Sequence, residues 1–350
     1  MAGNLYDTTT LLSVLRVQKG TAPFWLNFFT SQINFDTEDI AFDKVFTDDR
    51  KLAPFVVPNV QGRVMGIEGY ESMSFKPAYV KPKHVVDPNM VIPRQPGEAL
   101  GTGSLSPAAR RNAVIAELLR RHRVMHENRW EWLAAKAIID GKVTIRGEDY
   151  PSTLVDFRRN AGLTGVLSGG AQWSQTTADP MGDLRTKRVA ANNLSGARIT
   201  RHIFGADAWD MFASRVDLRE QMKRDIGGYN TEVTMLKDGY EGLEYMGTIQ
   251  GLNGSGRIEA WVHTGKYIDP ETGNEEFFLD QKTVVGVSDM VQGVRCFGAI
   301  KDKAANYQPL EMFPKNWENE DPSVEYLMTQ GAPLMVPKEP NATFSIKVAA

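Results

Sequence analysis

His122 and His126 stand four residues apart, so on a helix they share a face, and Glu127 follows directly. A zinc protease needs His-Glu-x-x-His, with the glutamate inside the pair. Here the order is His-x-x-x-His-Glu and no third ligand is evident, so the pair reads as interfacial or partly exposed rather than metal-binding. The glycines of Gly251-Leu-Asn-Gly-Ser-Gly-Arg257 match neither a P-loop nor a dinucleotide fingerprint, because no Gly-Lys-Ser/Thr and no strand–turn–helix context accompanies them. They read as a hairpin tip. Cys296 is the single cysteine, which excludes an intramolecular disulfide framework and any multi-cysteine zinc site. Its setting, Val294-Arg-Cys-Phe-Gly-Ala-Ile300, has no activating histidine and suits a small buried hydrophobe. No Gly-x-Ser-x-Gly elbow is present, and nothing singles out a carboxylate pair at catalytic distance. No cofactor is implied, and enzyme chemistry is unsupported.

The elements that would position these residues are unusual. Residues 59–105 form a long stretch punctuated by Pro77, Pro82, Pro88, Pro93 and Pro96, with glycines at 62, 66, 69, 101 and 103. Irregular segments longer than about 12–15 residues are rare in compact domains unless they are functional or covered by something else. Met73, Phe75 and Tyr79 alternate with polar neighbours, as in a two-stranded ribbon with one apolar face. Such a ribbon is marginal alone and needs a partner surface. Next comes a helix opened by Ser106-Pro107 and stopped at Gly141, with Val114/Ile115, Leu118/Leu119, Met125, Trp132/Leu133 and Ile139 at helical spacing. Residues 107–140 would span about 50 Å, a structural spine.

The spine carries Arg110, Arg111, Arg120, Arg121, Arg123, Arg129 and Lys136, whereas residues 34–50 hold six acids against two bases. Across the 350 residues, 40 Lys and Arg oppose 43 Asp and Glu, a net charge of −3, which argues against a dedicated nucleic-acid binder. The N-terminus lacks the charged and apolar regions of a signal peptide, and no apolar run approaches a membrane span. A soluble protein of a reducing cytoplasm is expected. Thr8–Thr10 and the leucines at 11, 12 and 15 suggest a short helix. The cluster Phe24, Trp25, Phe28 and Phe29 will not stay in water and docks either on its own core or on a neighbour.

A second unit begins near Asp179-Pro180, with a helix over 181–193, a strand at 199–204, helices at 206–215 and 216–225, and strands at 257–263, 283–287 and 294–300. The alternating tail segments 324–328 and 344–348 read as strands completing the first unit's sheet.

Several blocks, in order, resemble the lambda-like major capsid proteins of tailed bacteriophages. They are Tyr79-Val-Lys-Pro-Lys-His84 with Asp87-Pro88, the arginine-rich helix ending Gly141-Lys-Val-Thr144, and Ser168-Gly-Gly-Ala-Gln-Trp-Ser174. Near the C-terminus follow Pro314-Lys-Asn-Trp317, Asp321-Pro322 and Gln330-Gly-Ala-Pro-Leu-Met335. The resemblance implies an α+β Hong Kong 97-type fold with an N-terminal arm (1–58), an extended loop lying across a neighbour (59–105), a peripheral domain (106–179 with 311–350) and an axial domain (180–310). It also implies pentamers and hexamers closing an icosahedral shell around double-stranded DNA, together with a small decoration protein, a portal and a scaffold. Some relatives crosslink a lysine to an asparagine of another subunit. Lys76, Lys81 and Lys83 lie on the loop, but no isopeptide motif is assignable, so reinforcement is expected to be non-covalent. The interface candidates are Phe24, Trp25, Phe28, Phe29, Phe75, Tyr79, Lys81, Lys83, His84, Arg120, Arg121 and Trp317. An encapsulin-like compartment shell and a soluble hydrolase are the alternative readings.

Overall fold

Ser106 and Pro107 begin the longest element. The Ser106 hydroxyl accepts the Ala109 N–H at 3.2 Å, and proline occupies the first helical position, where its missing N–H would have had no partner anyway. The helix, α1, runs Pro107–Ile139. Gly141 follows at φ +67°, a left-handed conformation that costs glycine no Cβ clash. This is a computed structural model, and it describes residues 23–37, 39–45, 70–92, 106–147, 150–214, 242–251, 256–321 and 324–349. The expected helices near residues 8–15 and 216–225, the 252–255 tip and the loop segments 59–69 and 93–105 lie outside the described residues.

The largest sheet has the order β7-β18-β13-β8-β10-β9. Its strands are β7 (Thr164–Val166), β18 (Thr343–Lys347), β13 (Thr283–Val287), β8 (Arg201–Phe204), β10 (Gly256–His263) and β9 (Leu243–Gly251). Every residue of β13 is buried, so this strand must sit inside a sheet covered on both faces. Gly286 allows this, because a Cβ there would run into the Phe344 ring on β18. Helices α2 (Pro180–Ser195) and α3 (Ala206–Ala213) contribute to one apolar cluster on this sheet, around Trp173, Phe204, Phe212 and Phe344. A second cluster gathers Trp25, Phe29, Ile138, Phe297 and Leu334 between α1 and a three-stranded sheet. That sheet has β14 (Val294–Phe297) between β1 (Ser31–Asn34), which is parallel to it, and β17 (Pro333–Val336), which is antiparallel.

Beside the N-terminal half of α1 lies a third sheet, ordered β15 (Phe313–Asn319), β16 (Val324–Gln330) and β4 (Lys83–Val86), all antiparallel. Two-stranded pairs complete the described strands: β2 (Ile40–Val45) with β3 (Tyr70–Phe75), β5 (Lys142–Gly147) with β6 (Tyr150–Asp156), and β11 (Lys266–Ile268) with β12 (Glu275–Phe277).

Three sequence expectations change. The ribbon does not close within residues 59–105: its described strand, β3, pairs with β2 of the N-terminal arm, from Ile40↔Phe75 to Val45↔Tyr70. Residues 79–92 of the expected loop are partly built into their own subunit, through β4 on β16 and the Val80↔Gly331 bridge. The tail divides. β16 serves the peripheral sheet, but β18 enters the six-stranded sheet, and β14, expected among the axial strands, pairs with β1 and β17. Four of the five β18 residues are buried, and burial on both faces is available only to an internal strand.

Candidate assembly surface

On β16, Glu325, Leu327, Thr329 and Gln330 are buried, while Val324, Tyr326 and Met328 are only partly so. This strand therefore presents one face to α1 and the other outward. The antiparallel register places β4 in step, with Val86 buried against α1 and Lys83 and Val85 outward.

Three histidines meet on the inner side. His84 Nδ1 lies 2.6 Å from His122 Nε2, so one ring nitrogen donates and the other accepts. His126 Nε2 lies 3.1 Å from the Thr329 hydroxyl. His122 and His126 are both 0% exposed, which corrects the expectation of an interfacial or partly exposed pair: the helix face they share is the one that carries the sheet. Burial, and then the neighbouring His84, holds His122 down at about 4. Burial, and then His122, does the same to His126. Among the described residues no three His, Cys, Asp or Glu side chains are grouped to hold a metal ion.

The outer side is aromatic and cationic. Trp317 and Tyr326, cross-strand partners, stack with centroids 5.4 Å apart. The Lys83 ammonium sits 3.9 Å from the Tyr326 centroid and 5.1 Å from that of Trp317, a cation–π arrangement. Val85 beside them is 41% exposed. Arg111 on α1 grips the hairpin through Glu325 at 2.7 Å and Glu318 at 2.8 Å. Lys81 lies over the Tyr79 ring, whose hydroxyl donates to the Ala299 carbonyl at 2.6 Å and accepts the Lys301 N–H at 3.1 Å. Arg120 and Arg121 are exposed and share Glu117, whose carboxyl Arg120, and then Arg121, hold down at about 2.

The remaining candidates face inward. Trp25 and Phe29 are 0% exposed, Phe28 is buried, and Phe24 packs edge-on against Trp25 and Phe28. Of the two positions open to this cluster, the subunit's own core takes Trp25, Phe28 and Phe29, whereas Phe24 is only half-buried. Phe75 packs edge-on to Phe157 at the root of the β2–β3 ribbon, where its partner Ile40 is fully buried. Cys296 is buried, and burial pushes its thiol up to about 12, as a small core hydrophobe requires.

Sequence reasoning missed the residues that lock these parts together. Glu131 of α1 accepts the Trp25 and Leu26 N–H groups at 2.7 and 2.8 Å, capping the short 3-10 turn Trp25–Phe28. Burial pushes Glu131 up to about 7 against those hydrogen bonds and Arg295. Arg295 donates to the Phe29 and Leu26 carbonyls at 2.7 and 3.2 Å. Arg159 closes the other end of the spine, donating to the Ile138 and Ile139 carbonyls and to the Thr343 and Thr164 hydroxyls. The available signal for Glu131 was a carboxylate four residues from Glu127 on the apolar side of the helix; Arg159 and Arg295 gave none. Beside α1, a groove of about 1130 Å³ runs between Phe24, Val80, Met125, Trp132, His263 and Ile268.

A long spine helix, a small sheet laid on one end of it, a larger mixed sheet at the other, and an N-terminal arm that adds β1 to β14 and pairs β2 with β3 define the Hong Kong 97-type capsid fold. The phage major capsid protein E family model matches residues 7–348, and the chain belongs to that family. It is 30% identical to the major capsid protein of Escherichia phage lambda over 354 residues, covering 99% of this chain and 100% of that protein. Identity to the major capsid protein of Escherichia phage N15 is also 30%, with the same coverage. A crystal structure assigned to a prophage capsid protein of E.coli CFT073 superposes with a TM-score of 0.73 at 26% identity, covering 98% of this chain and 99% of that one. No described helix is long and apolar enough to cross a membrane.

Proposed function

We propose that this tailed-phage major capsid protein, a virion component built from many copies, assembles as pentamers and hexamers into a closed icosahedral shell around double-stranded DNA. In this reading it is made in the host bacterial cytoplasm and does mechanical rather than enzymatic work. The observation that carries it is the β2–β3 ribbon. Its root is anchored by buried Ile40 and by Phe75 against Phe157, yet its strands hydrogen-bond only to each other among the described residues. A two-stranded ribbon is marginal in water, and a neighbouring subunit supplies what it lacks. Contacts spread over such extensions also tolerate the different angles of pentamers and hexamers.

A decoration protein, a portal and a scaffold belong to the same proposal. So does weak, sequence-independent DNA contact, given a net charge of −3 and spine arginines such as Arg120 and Arg121 already committed to Glu117. Reinforcement in this reading is non-covalent, since no isopeptide motif is assignable around Lys76, Lys81 and Lys83; a ladder of multimers surviving boiling in SDS would refute this. Electron microscopy of the purified protein over a concentration series, alone and with partners from the same genome, tests the whole. Shells or tubes with five- and six-fold units are expected. Monomers in every condition, partners included, would overturn the proposal.

A further inference from the structure

The outward face of the peripheral sheet carries opposite charges at its two ends. At the root, Lys83 and Lys81 are exposed, and Lys83 spans the Tyr326–Trp317 stack with half-open Val85 beside it. Past the end of β15, at the hairpin tip, Glu320 and Asp321 are exposed, while Glu318, in register with inward-facing Glu325, turns to the α1 side. Arg111 takes Glu318, but among the described residues no cation pairs with the Glu320 or Asp321 carboxylate, and no carboxylate pairs with Lys83. The two ends do not pair within one subunit. The Lys83 ammonium lies over the Tyr326–Trp317 pair, and Asn319 at the end of β15 is two residues further on, so at about 3.3 Å each the backbone offset is roughly 7 Å. That exceeds hydrogen-bonding reach.

We propose that the acidic hairpin tip of one subunit docks on the Lys83–Tyr326–Trp317 face of a second copy of this chain, in a directional head-to-tail contact between capsid subunits. The inference rests on the shell reading above and adds to it the residues of one contact. The face has the make-up of an energetic centre in an interface: two stacked aromatics, a cation held over them and an exposed valine at the rim. The complementary charges would set register and suppress wrong pairings. Because root and tip are different surfaces, the contact is heterologous, and repeating it closes a ring or extends a chain, as a shell lattice requires.

Charge exchange tests the contact in the full-length protein under conditions in which the wild type forms shells. Lys83→Glu alone, and Glu320→Lys with Asp321→Lys, are each expected to lower shell yield about tenfold by sedimentation and electron microscopy, as losing one interfacial charge pair would do. Combining all three substitutions is expected to restore at least half the yield. No loss in either variant, or no rescue in the combination, overturns the contact. As a check independent of folding, Glu320→Cys with Lys83→Cys is treated with a short bismaleimide. Multimers on denaturing gels that neither single-cysteine protein gives are expected; their absence from intact shells overturns the contact and leaves the shell reading standing. If the wild type never assembles, even with partners, the reading beneath fails instead.

Discussion

Glu131→Gln separates two forces that act on one buried carboxyl. The wild-type side chain is 7% exposed and accepts two backbone N–H groups, from Trp25 and Leu26. Charge-assisted hydrogen bonds favour the carboxylate, and burial favours the neutral acid. Burial prevails, raising the group from 4.5 to about 7. Between those values the folded chain therefore binds more protons than the unfolded one, so stability falls as pH rises. The displacement corresponds to roughly 3 kcal/mol, present below pH 4.5 and lost above about pH 7. Glutamine keeps one acceptor oxygen and leaves one N–H facing an amide, at a cost of about 1–3 kcal/mol at every pH. The variant should be clearly weaker than wild type near pH 5 and equal or stronger above pH 8. Urea titrations of the unassembled subunit, followed by circular dichroism, read the difference directly, because other titrating groups cancel between the two proteins. A gap that stays constant with pH would show that Glu131 does not titrate in this window. A gap that widens with pH would show that its hydrogen bonds outweigh its burial. Either result refutes the reasoning.

Three other outcomes are expected. Burial holds His122, His126 and His263 down at about 4 and His202 at about 3; their neutral forms contribute stability above pH 6.5 that is lost as pH falls through 4, so urea midpoints should drop between pH 6.5 and 4 and a Phe substitution at His202 should flatten the drop. Arg159→Lys cannot bridge the Ile138 and Ile139 carbonyls and both threonine hydroxyls at once and should cost about 2–4 kcal/mol in urea titration; wild-type stability would show that water replaces the fork. Gly286→Ala drives a methyl into the Phe344 ring and should destabilise by about 1–3 kcal/mol, read as a lowered melting temperature; no change would mean that β13 and β18 can separate freely.

The elements read from the sequence were those set by nearby residues. Ser106-Pro107 and Gly141 bound the spine because capping and left-handed φ are decided within a few residues. The helix expected over 181–193 is the Pro180–Ser195 helix, capped by Asp179 for the same reason, and the strand expected at 283–287 stands at those residues. The resemblance, carried by ordered blocks rather than any one motif, supplied the architecture. Of the candidate site, the sequence offered Lys83 and Trp317 without the Tyr326 that joins them, and placed Phe24, Trp25, Phe28 and Phe29 at either a core or an interface. Alternation gives a strand its faces but not its neighbour, so β1 on β14, β3 on β2, β4 on β16 and β18 beside β13 emerged only with the packed chain. Burial works the same way. The sequence determined that His122 and His126 share a helix face and that Glu131 follows on the same helix; only the tertiary structure decided that these polar groups lie inside, because a buried charge or imidazole is tolerable only where partners from distant segments converge on it.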